Sequence, residues 1–100
     1  MPAYLLIRVT VTDWDRYREY MALTPAAVAK YGGRFIARGG QSVTLEGPEE
    51  TRRLAVVEFP TFELAKSFYA SPEYQAAKSH RDGACEAEFI ALDGLSQPGS

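Results

Sequence analysis

The sequence predicts an α+β domain of order β-α-β-β-α-β, in which a four-stranded antiparallel sheet carries its helices on one face. Three observations lead there. Four stretches rich in β-branched and apolar residues read as strands. Between them lie two helical stretches with amphipathic spacing and capping residues. The 100 residues, 46% of them hydrophobic, suffice for one core and leave little spare chain for a second domain.

Ala3 to Val11 is the first strand, with Leu5, Ile7, Val9 and Val11 on one face and Tyr4, Leu6, Arg8 and Thr10 on the other. Thr12 or Asp13 caps the helix that follows, and Asp15 suits its positive end. Trp14, Tyr17, Met21, Val28 and Tyr31 form its apolar stripe. Pro25 lies inside this helix and forces Thr24 away from the α region, so a kink or a break into two pieces is expected. Gly32-Gly33 end it and launch the strand Arg34 to Arg38. Gly39-Gly40 should bend or bulge the chain, Gln41 to Glu46 should continue extended, and Gly47-Pro48-Glu49-Glu50 should turn into the strand Arg53 to Phe59.

Pro60 stops that strand and Thr61 caps a helix whose apolar face holds Phe62, Leu64, Ala65, Phe68 and Tyr69. Ser71-Pro72-Glu73 starts a further helical piece, with a Ser cap and Pro at the first position, running towards Gly83. Ala84 to Leu92 is the last strand, with Cys85, Ala87, Phe89 and Ala91 on one face. Right-handed crossovers place the first and last strands centrally or adjacently, a ferredoxin-like βαββαβ sandwich over residues 1–95. Residues 96–100 read as a disordered tail. The strands are apolar on both faces, yet the helices cover one. An open face of that kind would be a large exposed patch, and pairing with a second copy into a dimeric α/β barrel removes it.

Composition excludes several classes. A net charge of −2 without clusters of Lys and Arg argues against nucleic acid. One Cys and one His cannot build a disulfide framework, a structural zinc site or an iron–sulfur cluster. No apolar run spans a membrane and Met1-Pro2 opens without a charged leader, so a cytoplasmic location is expected. No glycine-rich dinucleotide fingerprint is present, and no cofactor is expected.

The run Tyr31-Gly32-Gly33-Arg34-Phe35-Ile36-Ala37-Arg38-Gly39-Gly40 resembles the second-strand motif of the domain of unknown function 1330 family. Val57-Glu58-Phe59-Pro60, Ser71-Pro72-Glu73-Tyr74-Gln75 followed by Arg81, and Leu92-Asp93-Gly94 resemble it in the same order, from Tyr4 to Gly94. The resemblance implies a dimeric α/β barrel, shared with ethyl tert-butyl ether degradation proteins, cofactorless antibiotic-biosynthesis monooxygenases and muconolactone isomerases. It implies no particular activity. His80 before Arg81 departs from the pattern.

Candidate chemistry comes in two groups. Arg8, mid-strand on the face turned to the second copy, needs an anion: either a ligand carboxylate or enolate, or Glu58 on the neighbouring strand. Glu58 among Val56, Val57 and Phe59 is a general-base candidate if desolvated, and a structural partner if Arg8 or Arg38 pairs with it. Arg38 beside Gly39-Gly40 could hold an anion, or bridge subunits at a bend. Ser71, Tyr74, His80 and Arg81 could form a polar wall for a small acidic or carbonyl ligand. The alternative is that Ser71 is a cap, Tyr74 is core, and His80 and Arg81 close the helix end. Cys85 reads as a small buried hydrophobe, with a Cys85–His80 nucleophile the less economical choice. Two functions fit: a cofactor-independent isomerase, decarboxylase or monooxygenase acting on an organic acid or carbonyl compound, or a non-catalytic dimer that binds a ligand or another protein.

Overall fold

The computed structural model describes residues 2–95, so the tail expected over 96–100 lies outside the described residues. The elements are β1 (Ala3–Val11), α1 (Trp14–Lys30), β2 (Arg34–Arg38), β3 (Arg53–Phe59), α2 (Phe62–Ala70), α3 (Pro72–Ser79) and β4 (Cys85–Asp93). All four strands pair antiparallel in the order β2-β3-β1-β4. The first and last strands are neighbours, with β1 and β3 central and β4 at an edge.

Alternation decides which side chains meet the helices. Leu5 lies between Val57 and Ala91, and Ile7 between Ala55 and Phe89. This face packs on Tyr20 and Val28 of α1, Phe68 of α2 and Tyr74 of α3. Phe68 is almost fully buried against the rings of Phe59 and Tyr74. Burying a side chain of that size stabilises by about 1.5–3 kcal/mol. The caps are the ones expected: Asp13 accepts from the Arg16 amide, Thr61 from Leu64 and Ser71 from Tyr74, so each helix start has one orphan donor satisfied. Gly33 lets the chain pass close to Phe59, where a Cβ would sit 2.6 Å from the ring.

The structure corrects four expectations. First, α1 runs unbroken through Pro25. Proline has no N–H, which deprives the Met21 carbonyl of its helical donor. Thr24 Oγ1 donates to that carbonyl at 3.3 Å and Arg38 Nη2 at 2.9 Å, so the lost bond is replaced from the same helix and from β2. Second, Gln41 to Glu46 is not extended. Residues 39–52 form one irregular loop, tied internally by the Glu50 amide donating to Thr44 Oγ1. Third, besides the bend expected at the glycine pair, β2 bulges at Ile36, since Phe35 pairs with Val57 but Ala37 with Val56. Gly39 bends the chain at φ 68° and ends the strand. Fourth, Trp14 stands 42% exposed at the start of α1, and Tyr20, absent from the expected stripe, is buried.

Candidate functional site

The expected site residues separate onto the two faces of the sheet. On the open face, Arg8 pairs with Glu50 at 3.5 Å, not with Glu58. Register explains this: Arg8 stands opposite Leu54, whereas Glu58 stands opposite Tyr4, four residues along the strand. Glu58 sits opposite Arg34 and within 3.5 Å of its guanidinium, so neither Arg8 nor Arg38 is its partner. Glu50 also accepts from the amide, Nε and Nη2 of Arg52, and Arg52 Nη1 reaches Glu88 on β4. These hydrogen bonds from Arg52 hold the Glu50 carboxyl down to about 2. A chain of opposite charges thus pins the long loop to β1 and β4.

On the helix face, Tyr74 and Arg81 meet. Tyr74 is fully buried, and its hydroxyl accepts from Arg81 Nη2 at 3.2 Å and lies 2.8 Å from the Tyr20 hydroxyl. Arg81 is 7% exposed, lies over the rings of Tyr20 and Phe89, and points Nη1 at the Cys85 sulfur 3.6 Å away. Its Nε is buried with no hydrogen-bond partner among the described residues. The guanidinium therefore turns into the core and does not close the end of α3, contrary to the capping alternative. Burial raises the Tyr74 phenol, against the opposing pull of its hydrogen bonds with Tyr20 and Arg81. Burial, then the neighbouring Tyr74, raises Tyr20, and burial raises Tyr17. All three phenols stay protonated near neutral pH, so none can act as the counter-anion of Arg81.

Ser71 serves as the cap of α3 and donates to the Phe68 carbonyl at 2.6 Å. His80 faces outward, with Nδ1 3.6 Å from Glu19, so it takes no part in a pair with Cys85. Arg38 stacks on Phe35 at 4.3 Å and reaches α1. The bulge at Ile36 is what turns it there, because it places Phe35 and Arg38 on the same face of β2.

Tyr17, Tyr20 and Tyr74 line a cavity of about 30 Å³ between the sheet and α1, space for one or two waters. Arg38, Arg53 and Met21 stand at the same cavity, and no acidic residue among the described residues lines it. Beyond Arg53 it adjoins a surface groove of about 440 Å³ that Arg53 also lines, with Trp14, Gly39 and Leu54. Arg53 and Tyr20 were not among the expected site residues. Alternation offered the signal for Arg53, which occupies an inward position in register with Val9, ahead of Ala55 and Val57. Tyr20 lies three residues beyond Tyr17, one helical turn along the same stripe.

This topology and helix layer define a ferredoxin-like α+β domain with one uncovered sheet face. The chain belongs to the family described as Domain of unknown function (DUF1330), whose model matches residues 2–95. Among solved structures it is similar to a protein of unknown function from Rhodopseudomonas palustris, with 21% identity, TM-score 0.75, and 96% of this chain and 84% of that one covered. It is also similar to a dimeric ferredoxin-like protein of unknown function from Jannaschia sp. CCS1, at 17% identity and TM-score 0.70 over 94% of this chain and all of that one (100%). SnoaB, a cofactor-independent oxygenase from Streptomyces nogalater, aligns at 13% identity and TM-score 0.66, covering 99% of this chain and 98% of its own. These likenesses establish the fold. No curated protein matches the chain. No helix among the described residues is long and apolar enough to cross a membrane.

Proposed function

We propose that this protein is a homodimer that closes its open sheet face against a second copy and binds a small organic acid or carbonyl compound in the cleft between sheet and α1. The observation that carries the ligand site is the buried relay Arg81–Tyr74–Tyr20 beside the cavity. Arginine only donates, so the Tyr74 oxygen accepts from it and Tyr74 can pass its own proton to Tyr20. The Tyr20 hydroxyl is then a donor for an oxygen in the cavity it lines. Donors fixed in a dry site before the ligand arrives hold an oxyanion well.

The half-exposed Leu6, Leu54 and Val56, with the exposed Ile90 and Leu92, support the dimer, as does the dimeric description of the Jannaschia relative. Light scattering should give twice the 11.1 kDa protomer mass. A panel of small carboxylates, phenols and ketones followed by NMR should show saturable shifts at Tyr20 and Tyr74. Tyr74→Phe should weaken binding by about ten-fold, the loss of one polarised hydrogen bond. A monomer at micromolar concentration sinks the assembly, and unmoved tyrosine signals across the whole panel sink the ligand site.

A catalytic form of this reading, a cofactor-independent isomerase, decarboxylase or monooxygenase, is favoured by the same relay, which would stabilise an enolate or phenolate. Glu58, the candidate base, lies on the opposite face of the sheet beside Arg34, so in this form the proton must go to the substrate's own groups or to solvent.

A further inference from the structure

Four arginines of the described residues form salt bridges with carboxylates: Arg8, Arg18, Arg34 and Arg52. Arg16, Arg38, Arg53 and Arg81 form none; Arg16 is exposed on α1, whereas Arg38 and Arg53 line the cavity and Arg81 lies behind its tyrosines. The chain carries 13 Asp and Glu against 11 Lys and Arg, and none of those carboxylates lines the cavity or the adjoining groove. Cations without carboxylate partners beside a cavity with no acidic lining form an electrostatic trap for an anion.

Two of the last three are already committed. Arg38 replaces the hydrogen bond that Pro25 removes from α1, and also donates to Thr24 Oγ1 at 3.2 Å. Arg81 is sealed behind the tyrosines and uses its donors on Tyr74 and Cys85. Arg53 differs. Its one hydrogen bond among the described residues goes from Nη2 to the Met21 thioether at 3.7 Å, a weak acceptor. Its guanidinium otherwise lies 5.8 Å from the Trp14 ring and against the backbone of Gly39. A Cβ at position 39 would collide with the guanidinium, and the backbone there has φ 68°, so glycine both makes the bend and clears the place for Arg53. Arg53 also stands at an inward strand position, where a cation contributes less to folding than an apolar residue would.

We propose that Arg53 is the anion-binding residue of this protein and that its ligand is a small apolar monocarboxylate. This deepens the ligand site proposed above and rests on that reading. The carboxylate takes the free fork of the guanidinium, a planar bidentate match. The groove, where Val9, Val11 and Trp14 stand beside the polar Ser42, Thr51 and Arg52, takes the ligand's body, and the smaller cavity behind Met21 admits only its end. Met21 is the flexible side chain between the two spaces, suited to yield without rearranging the helix.

The test uses benzoate and its neutral counterpart benzyl alcohol, with the fluorescence of Trp14, the chain's one tryptophan, as the signal. Benzoate should quench saturably and bind at least about ten-fold tighter than benzyl alcohol, and raised salt should narrow the gap by screening. Arg53→Gln should abolish the preference while leaving benzyl alcohol unchanged, and Arg53→Lys should keep part of it, because charge remains but the fork is lost. Arg18→Gln, whose guanidinium also lies 5.8 Å from Trp14 but outside the cleft, should change nothing. Circular dichroism confirms that each variant is folded. Equal binding of the two probes, or benzoate affinity undiminished in folded Arg53→Gln, overturns the assignment of Arg53 and leaves the ligand site standing. No saturable binding of either probe overturns both.

Discussion

The two faces of the sheet solve the same problem by different means. On the helix side, Leu5, Val57 and Phe59 are buried by side chains of the same chain, and Arg38, Arg53 and Arg81, turned to the cavity and core, lack carboxylate partners among the described residues. On the open side, Leu6, Leu54 and Val56 stay half exposed, while Arg8, Arg34 and Arg52 each have an acid within 3.5 Å. The charges of the open side are paired. Charges left unpaired in a poorly solvated place are expensive, so their retention points to a use. That difference is the ground for proposing the ligand site on the helix side and the assembly surface on the open side.

The sharpest way to break the contrast is to damage each face in turn. Phe68→Ala removes a buried ring from the helix side and should destabilise by about 3–5 kcal/mol in urea unfolding. Val56→Glu, on the open side, should lower the stability of the protomer by less than about 1.5 kcal/mol yet halve the mass seen by light scattering. A dimer that persists in Val56→Glu would show that the open face is not the assembly surface.

A smaller effect tests the link between β2 and α1. Arg38→Met should cost about 1–2 kcal/mol, because the Met21 carbonyl then keeps only the Thr24 hydroxyl. Pro25→Ala restores the helical N–H to that carbonyl. In the Pro25→Ala background Arg38→Met should therefore cost less, and a double-mutant cycle in urea measures the coupling. Strict additivity would mean that Arg38 does not compensate for the proline.

This pair also shows where the sequence ceased to be legible. The strands, the caps at Asp13, Thr61 and Ser71, and the apolar face left uncovered were all readable, because they depend on spacing and on neighbours a few residues apart. Pro25 was readable as a helix breaker, but its remedy comes from residue 38 across the bulge at Ile36. A one-residue bulge inverts every inward and outward assignment after it, and nothing in Arg-Phe-Ile-Ala-Arg marks it. For Arg8 the face was right and the partner wrong, since Glu50 reaches it from a loop whose path depends on the finished fold. Among the candidate site residues, the meeting of Tyr74 with Arg81 was foreseeable from their shared helix face. Their junction with Tyr20 was not, because Tyr20 comes from a helix 54 residues earlier in the chain.

The smallest expected effect concerns the charge chain of the open face. Arg52 and Arg8 hold the folded Glu50 carboxyl at about 2, below its ordinary 4.5. A depressed folded value contributes stability that is present above the ordinary value and is lost as pH falls towards 2. The Tm should therefore decline over that window, with a shallower slope in Glu50→Gln. An unchanged slope would mean that the loop is held by other contacts.

The central claim is that the unpaired arginines of the helix side, and not the paired ones of the open side, meet the ligand. The most direct measurement is nitrogen-15 NMR of the arginine side chains during a titration with benzoate. The account predicts that the Nε resonance of Arg53 shifts and saturates while those of Arg8, Arg34 and Arg52 stay in place. Shifts at Arg8, Arg34 or Arg52 with Arg53 unmoved would contradict it.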